Sequence, residues 1–269
     1  MIADSNSHHS VGFRELIEAY FWHPVGLSTD FVAQQSKAVH LLDVELVVWR
    51  DSHQQISVML DQCPHRGAKL SLGQVVQDQI ICPYHGWRFS SSGQCSQIPA
   101  LPEFTPGAKH CTKTFQAKEQ YGLVWVRLLA EHPDLEQNET LQSSSFFPQF
   151  LASHDSHLRS VLCGPYTVQS SAPRLVENFL DMAHFSFVHE GYLGDAQLPQ
   201  VANYEVALVA GTLKASSCKA WQPQSNAHST QSALIEYEYY LDHPYSAILS
   251  KVPPNGASAK DNYRESIAL

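Results

Sequence analysis

The hydrophobic positions along the chain follow two periods, and each period predicts a different kind of element. Residues 13–22 carry apolar side chains three to four positions apart, which predicts a short helix ending near His23 and Pro24. Short β-rich runs with polar turns between them follow, which predict strands at 39–42, 46–49, 56–60, 74–82 and 121–129. This part of the chain is therefore predicted to be a small antiparallel β domain.

A polar stretch with little periodicity, residues 131–145, contains Pro133 and three consecutive serines and predicts a domain boundary. We expect a disordered tail at 1–12, the β domain with its N-terminal helix at 13–130, a linker at 131–150 and a second domain at 151–269.

The second domain is predicted to mix strands with a helix. Residues 158–169 predict a strand. Ser170 or Ser171 fits a helix N-cap, Pro173 fits the first turn, and the apolar stripe continues to a stop near Gly191. Further strands are predicted at 204–214 and 234–241. The predicted fold class is α+β, an all-β domain followed by a domain in which an antiparallel sheet packs against helices.

Composition narrows the class of protein. With 269 residues, 43% hydrophobic and 16% charged, the chain is long enough for one or two folded domains and is not disordered or fibrous. A net charge of -9 offers no basic surface for nucleic acid or an anionic membrane. No secretory signal or membrane-spanning run is visible, so we expect a cytoplasmic protein whose six cysteines are reduced or bind metal.

Two short loops each carry one cysteine and one histidine. They are Cys63-x-His65 and Cys82-x-x-His85, with sixteen residues between them. Two thiolates and two imidazoles bind either a structural zinc ion or a [2Fe-2S] cluster. Zinc sites usually pair cysteine with cysteine at one end of the motif, so one cysteine and one histidine in each loop favours the iron-sulfur cluster.

These loops resemble those of the Rieske family, in which two such loops at the tip of a small β domain hold a [2Fe-2S] cluster. The resemblance implies that Cys63 and Cys82 bind one iron, and that His65 and His85 bind the other. Histidine ligation raises the reduction potential above that of clusters bound by cysteine alone.

The respiratory branch of the Rieske family has an extra cysteine in each loop, and these two form a disulfide. Here the corresponding positions hold Ala68 and Tyr84, and Trp87 replaces a small hydroxyl residue near the sulfides. Without this hydrogen-bond donor the reduced cluster is less stable, which predicts a lower reduction potential than in that branch. The chain is more similar to the oxygenase and ferredoxin branch.

A second group of polar residues lies on the predicted helix. Asn178, Asp181 and His184 follow one another at intervals of three, which predicts one helical face on which Asp181 touches the ring of His184. His189 lies five residues further on. His184 and His189 can bind one metal ion only if the helix bulges or ends between them.

Downstream of a Rieske domain, this pattern resembles the active-site helix of the Rieske non-haem iron oxygenases. The resemblance implies that His184 and His189 bind Fe(II) together with a later carboxylate, that Asp181 bridges the two metal centres, and that Asn178 is a polar neighbour of the iron. In the family that carboxylate lies well over a hundred residues after the second histidine, whereas this chain ends 80 residues after His189. We therefore expect the catalytic domain to be incomplete, and none of the formal candidates can be nominated: Asp195, Glu205, Glu236, Glu238, Asp242, Asp261 and Glu265.

The resemblance also implies a function and partners. Residues 21–25 and the first cluster loop resemble vanillate O-demethylase-like monooxygenases, and related oxygenases of chlorophyll breakdown look similar there. A reductase or ferredoxin would supply electrons, since no flavin or phosphate-binding motif is visible. The substrates would be dioxygen and a small organic, aromatic molecule that is hydroxylated or O-demethylated. A complete chain is expected to form a homotrimer in which His85 of one subunit approaches Asp181 and His184 of the next.

Two alternatives remain. The chain is a Rieske-type electron carrier, or an inactive truncated oxygenase, if the second domain binds no iron. It is a zinc-binding scaffold if the four loop residues hold zinc. Iron content distinguishes them, because the carrier holds two iron atoms per chain, the oxygenase holds three, and the zinc protein is colourless.

Overall fold

The computed structural model describes residues 17–129, 147–209, 211–225, 231–252 and 265–269. The chain divides into two compact units. The first comprises Met1–Asn138 with Leu162–Pro165, and the second comprises Glu139–Val161 with Tyr166–Leu269. No described helix combines the length and the apolar composition that crossing a bilayer requires.

The first unit is built from strands and short 3-10 turns. Its strands are β1 His23–Leu27, β2 Ser36–Leu41, β3 Val44–Arg50, β4 Ile56–Leu60, β5 Gln74–Val76, β6 Gln79–Ile81, β7 Arg88–Ser90, β8 Cys95–Gln97, β9 Thr114–Gln120 and β10 Leu123–Arg127. They form a six-stranded sheet in the order β1-β10-β9-β4-β3-β2 and a four-stranded sheet in the order β5-β6-β7-β8. All pairs are antiparallel, as the sequence predicts.

Strand β3 separates two hydrophobic cores. Because side chains alternate along a strand, Leu46 and Val48 enter one core while Val47 and Trp49 enter the other. All four are fully buried. The second core also contains Cys63 and Cys82, so the two loops that carry these cysteines rest on a packed hydrophobic base.

A buried arginine ties the loop before β2 to the six-stranded sheet. The guanidinium of Arg50 donates to the backbone carbonyls of Ser28, Phe31 and Gln54 and pairs with both carboxylate oxygens of Glu119, at 2.7 and 3.0 Å. This arrangement satisfies the charge of a residue that is 8% exposed. Arg50 holds the pKa of Glu119 below its ordinary value.

The Glu119→Gln variant is expected to be less stable than the wild type at neutral pH, by about 1 kcal/mol for a partly exposed pair. A lowered carboxyl pKa adds stability above the unfolded-state pKa of about 4.3, and this stability is lost as the pH falls through the folded-state value. The gap in thermal midpoint between the two proteins should therefore be largest at pH 7 and should shrink below about pH 5. A gap that stays constant with pH would contradict this role of Glu119.

The described residues of the second unit form one sheet and two short α-helices. Its elements are α1 Ala172–Leu180, α2 Phe185–Val188, β11 Glu205–Val209, β12 Thr212–Gln222, β13 Ala233–His243, β14 Ser246–Val252 and β15 Ser266–Ala268. The antiparallel sheet has the order β11-β12-β13-β14-β15. The predicted α+β class, with an antiparallel sheet and few helices in this part of the chain, is confirmed.

Strand β13 shows how the sheet is oriented. Tyr237 and Tyr239 are each 2% exposed and pack in the core with Met182 and Phe185 from the helical segment. The alternating Glu236 and Glu238 lie on the other face. The alternation of polar and apolar residues predicts this division, and the structure confirms it.

Several predicted elements differ from the structure. The N-terminal helix is a 3-10 turn at Ile17–Tyr20 in its described part, and residues 13–16 lie outside the described residues, as do the predicted tail and most of the predicted linker. Residues 158–169 form no strand, because Gly164-Pro165 interrupts the run and proline cannot donate to a ladder. Residues 74–82 form a hairpin in place of one strand, with Gln77 at a φ of 55° in its turn.

Candidate functional site

The first cysteine loop is a tight turn anchored at both ends. The N–H of Cys63 donates to the carbonyl of Ala68 at 2.8 Å, and the N–H of Gly67 donates to the carbonyl of Cys63 at 2.9 Å. Just before the loop, the buried carboxylate of Asp61 accepts hydrogen bonds from the N–H and the hydroxyl of Ser71, at 2.7 and 2.6 Å. These bonds hold the loop against the core below it.

The second cysteine loop repeats the same backbone geometry. The N–H of Cys82 donates to the carbonyl of Trp87 at 2.9 Å, and the N–H of Gly86 donates to the carbonyl of Cys82 at 3.1 Å. Gly86 has a φ of 70° and Gly67 has a φ of 73°, and residues with a Cβ rarely adopt such backbone angles. Each loop thus presents its cysteine and its histidine from the same kind of turn.

The Gly86→Ala variant is expected to lose cluster content and thermal stability. Its left-handed backbone costs about 1–2 kcal/mol with a Cβ, and the new methyl group would lie 3.2 Å from Cγ of Pro99. Gly67→Ala should cost less, because its Cβ meets only Nε2 of Gln62 at 3.5 Å. Gly107→Ala is the matched control, with open space around its Cβ and no left-handed φ. The losses are expected to be largest in Gly86→Ala, smaller in Gly67→Ala and smallest in Gly107→Ala. Iron content, sulfide content and the thermal midpoint measure these losses, and equal losses in all three variants would contradict the expected order.

The four loop side chains converge. Cys63 and Cys82 are each 2% exposed and pack in the same hydrophobic core. The rings of His65 and His85 lie with their centroids 4.5 Å apart. Two sulfur donors and two imidazoles therefore face one another across the two loops.

The chemistry of these donors fits a bound metal cluster. Nδ1 of His65 is buried and has no hydrogen-bond partner in the structure, and a neutral imidazole nitrogen can donate its lone pair to a metal ion. Burial and the neighbouring Cys82 thiol raise the pKa of Cys63, so this thiol would lose its proton at neutral pH only when it binds a metal cation. Burial, together with the charges of His85 and Arg66, lowers the pKa of His65 and favours the neutral, ligating form of its ring.

The second group of predicted site residues lies where the helix breaks. The prediction of one continuous helix from residue 171 to 191 is wrong, because α1 ends at Leu180 and Asp181 has extended backbone angles. The carboxylate of Asp181 accepts the N–H of Ala183 at 2.8 Å, a local bond that competes with the helical pattern. The helix resumes as α2 after His184 and ends at Val188.

The two histidines lie at the two ends of the short helix α2, and their rings are close together. Oδ2 of Asp181 lies 3.2 Å from Nδ1 of His184, which confirms the predicted contact and leaves Nε2 of the ring for a metal ion. The ring centroids of His184 and His189 are 5.1 Å apart, and His189 lies just after the end of α2. Asn178 lies exposed on the last turns of α1. Helix α2 therefore ends between His184 and His189, which is the condition that the sequence sets for both histidines to bind one metal ion.

A third ligand is not visible in the described ranges. They contain no group of three or more His, Cys, Asp and Glu side chains arranged to hold one metal ion. Three of the candidate carboxylates instead form ion pairs: Glu236 with Lys219, Glu238 with Lys214, and Glu265 with Lys251. Asp261 lies outside the described residues.

Two residues that neighbour these sites are not placed there by any pattern in the sequence. His110 is 5.6 Å from Trp87, ring to ring, although 25 positions separate it from His85. Tyr239 is buried in one core with Met182, the residue after Asp181, and burial raises the pKa of its hydroxyl. The alternation along β13 predicts that Tyr239 is buried, whereas its position beside the helix break is a matter of tertiary packing.

Comparison with known proteins gives two matches to family models. A Rieske [2Fe-2S] domain matches residues 21–116, and a vanillate O-demethylase oxygenase C-terminal domain matches residues 168–252. The two cysteine-histidine loops fall in the first match, and the paired histidines fall in the second.

Similar proteins and structures agree with these matches. Methylxanthine N1-demethylase of Pseudomonas putida is 38% identical over 181 residues, which are 65% of this chain and 48% of that protein. The oxygenase component of 3-ketosteroid-9-alpha-monooxygenase from Rhodococcus rhodochrous is 31% identical over 64% of this chain and 41% of its own length. A mutant of the Pseudomonas putida demethylase solved with caffeine has a TM-score of 0.72 at 30% identity, covering 88% of this chain and 66% of that one. The chain thus spans about half the length of the curated relatives it matches or less.

Proposed function

The chain belongs to the Rieske-type iron-dependent oxygenases, and from this premise we propose that it is an oxygenase component that passes electrons from a [2Fe-2S] cluster to a mononuclear Fe(II). The proposed reaction is hydroxylation or O-demethylation of a small aromatic molecule with dioxygen. One observation supports it above all others: the chain contains both the two cysteine-histidine loops and a histidine pair oriented by a carboxylate.

Four residues are proposed as the cluster ligands. Cys63 and Cys82, buried side by side, would bind one iron, and His65 and His85, at the outer side of the loops, would bind the other. The buried, unpartnered Nδ1 of His65 supports this assignment.

His184 and His189 are proposed as ligands of the mononuclear iron. Asp181 accepts the ring N–H of His184, which fixes the tautomer and the plane of that ring and makes its Nε2 a stronger ligand. Asn178, one turn before Asp181, is proposed as a polar neighbour of this site. When bound, the cluster and the iron supply one-electron chemistry and the activation of dioxygen.

The partners are also proposals. The relatives whose names describe a reaction are a methylxanthine demethylase and a ketosteroid monooxygenase, which supports a small organic substrate for this chain. An external reductase or ferredoxin would supply the electrons. A homotrimer is proposed in which His85 of one subunit approaches Asp181 and His184 of the next. The predicted domain boundaries and the predicted cytoplasmic location stay predictions.

A second candidate function is that of a Rieske-type electron carrier. It is favoured by one observation, that the described ranges place no carboxylate in a group of three ligands with His184 and His189. In this case Asp181, His184 and His189 would keep their geometry without holding iron.

Metal analysis and an EPR spectrum of the dithionite-reduced, anaerobically reconstituted chain distinguish these functions. Three iron atoms and two acid-labile sulfides per chain, with the signal of a reduced Rieske cluster, are expected for the oxygenase. Two iron atoms with the same signal would support the carrier. A colourless protein without sulfide would overturn both and would leave the zinc-binding scaffold.

A further inference from the structure

One aromatic side chain connects the two cysteine-histidine loops. The carbonyl of Trp87 accepts the N–H of Cys82 and so closes the second loop. Its indole lies against the first loop, parallel to the ring of His65 within 3° and 4.7 Å from it, centroid to centroid. Trp87 is the one described side chain whose ring is stacked flat on a cluster-loop histidine.

This stack restricts the ring of His65. One face of the imidazole is covered by the indole, and the ring of His85 lies at 61° to it, 4.5 Å away. Parallel rings at this distance are in offset stacking, a geometry that favours one ring plane over others. Rotation of the His65 ring would therefore cost the contact with Trp87.

Trp87 is itself held on its other sides. It packs against the core that contains Cys63 and Cys82, and His110 lies 5.6 Å from it at an angle of 48°. His110 is fixed in turn, because the N–H of Gly107 donates to its Nδ1 at 3.1 Å. The indole thus has contacts with His65, with His110 and with the core that contains the two cysteines.

We propose that Trp87 is a positioning residue for the cluster: it fixes the plane of the His65 imidazole and keeps water away from the face of this proposed ligand that it covers. The proposal rests on the proposed role of His65 as an iron ligand. Since a reduced cluster carries one more negative charge than the oxidised one, water near it stabilises the reduced form. By excluding water, Trp87 holds the reduction potential down.

The test compares variants of the reconstituted full chain by EPR-monitored reductive titration. Trp87→Ala is expected to shift the reduction potential to a more positive value and to broaden the EPR lines of the reduced cluster, because the ring plane of His65 is no longer fixed. Trp87→Phe keeps an aromatic ring against His65 and is expected to stay close to the wild type in both readouts. Trp125→Phe is the matched control, since Trp125 is a buried tryptophan of β10 in the same unit, with its N–H on the carbonyl of Gln120.

The proposal is overturned if the alanine variant binds the cluster with an unchanged potential and unchanged lines, or if the phenylalanine variant shifts as far as the alanine variant. If the alanine variant does not load, Trp87→Leu takes its place, because it keeps apolar volume without a ring and is expected to shift in the same direction. A wild-type chain without a Rieske EPR signal would instead refute the proposed function, so the two failures are distinguishable.

Discussion

The Asp181→Asn variant is expected to keep the EPR signal of the cluster while its affinity for mononuclear Fe(II) falls by about 10–100-fold and its substrate turnover is lost. The reason lies in the two hydrogen bonds of the carboxylate. Oδ1 accepts the N–H of Ala183 and Oδ2 accepts from Nδ1 of His184. An asparagine has only one acceptor oxygen, so it cannot serve both partners.

Either orientation of the asparagine harms the site. If its oxygen stays on Ala183, its NH₂ group faces Nδ1 of His184 and drives the ring proton to Nε2, the atom proposed to bind iron. If the amide flips, two donors meet at Ala183 and the turn between α1 and α2 is weakened. Both changes are local to the turn between α1 and α2, and the proposed cluster ligands belong to two other loops, so the cluster should remain.

Glu177→Gln is the matched control for this substitution. Glu177 is an exposed acid on α1 whose carboxylate pairs with Arg174 at 2.6 Å. Its substitution makes the same change from acid to amide at a side chain that is not paired with His184. Iron content after dialysis and single-turnover product formation measure the effect. Wild-type turnover in Asp181→Asn would remove Asp181 from the proposed site.

Much of this architecture is predictable because it depends on local periodicity. Leu46 to Trp49 on β3 and Tyr237 and Tyr239 on β13 enter their cores as the alternation along each strand requires. The pairing of one cysteine with one histidine in each loop predicts one shared site. In the structure the two cysteines pack in one core and the two histidine rings lie 4.5 Å apart, while the binding of a cluster stays a prediction.

What the sequence does not predict depends on competition between local and distant contacts. The helix periodicity from residue 172 continues past Asp181, but a side-chain bond to Ala183 interrupts it. Apolar residues at 158–169 suggest a strand, but Gly164-Pro165 interrupts the run. Leu162 of this segment instead lies against Gly122, where its Cδ1 is 2.8 Å from the position that a Cβ on Gly122 would take. This contact joins residues that are distant in the sequence. The stacking of Trp87 on His65 joins two loops, and no periodic pattern in the sequence predicts this contact.

The His85→Cys variant is expected to retain a cluster with an altered visible and EPR spectrum and a reduction potential lower by about 100 mV or more. Rieske centres with two histidines lie at about -150 to +300 mV and plant-type clusters with four cysteines lie near -400 mV, and this variant replaces one of the two histidines. A neutral imidazole would be replaced by an anionic thiolate, which raises the negative charge of both oxidation states and penalises the added electron. The turn itself should survive, because the hydrogen bond from Gly86 to Cys82 involves only backbone atoms.

Tyr84→Phe is the control beside this proposed ligand, because the ring of Tyr84 lies 3.9 Å from that of His85 and the residue is 65% exposed. It keeps the ring contact and changes only an exposed hydroxyl, so its spectrum and potential should match the wild type. A redox titration of both variants is the measurement. If His85→Cys gave the wild-type spectrum at the wild-type potential, His85 would not be a ligand, and the assignment of the outer iron to His65 and His85 would have to be abandoned.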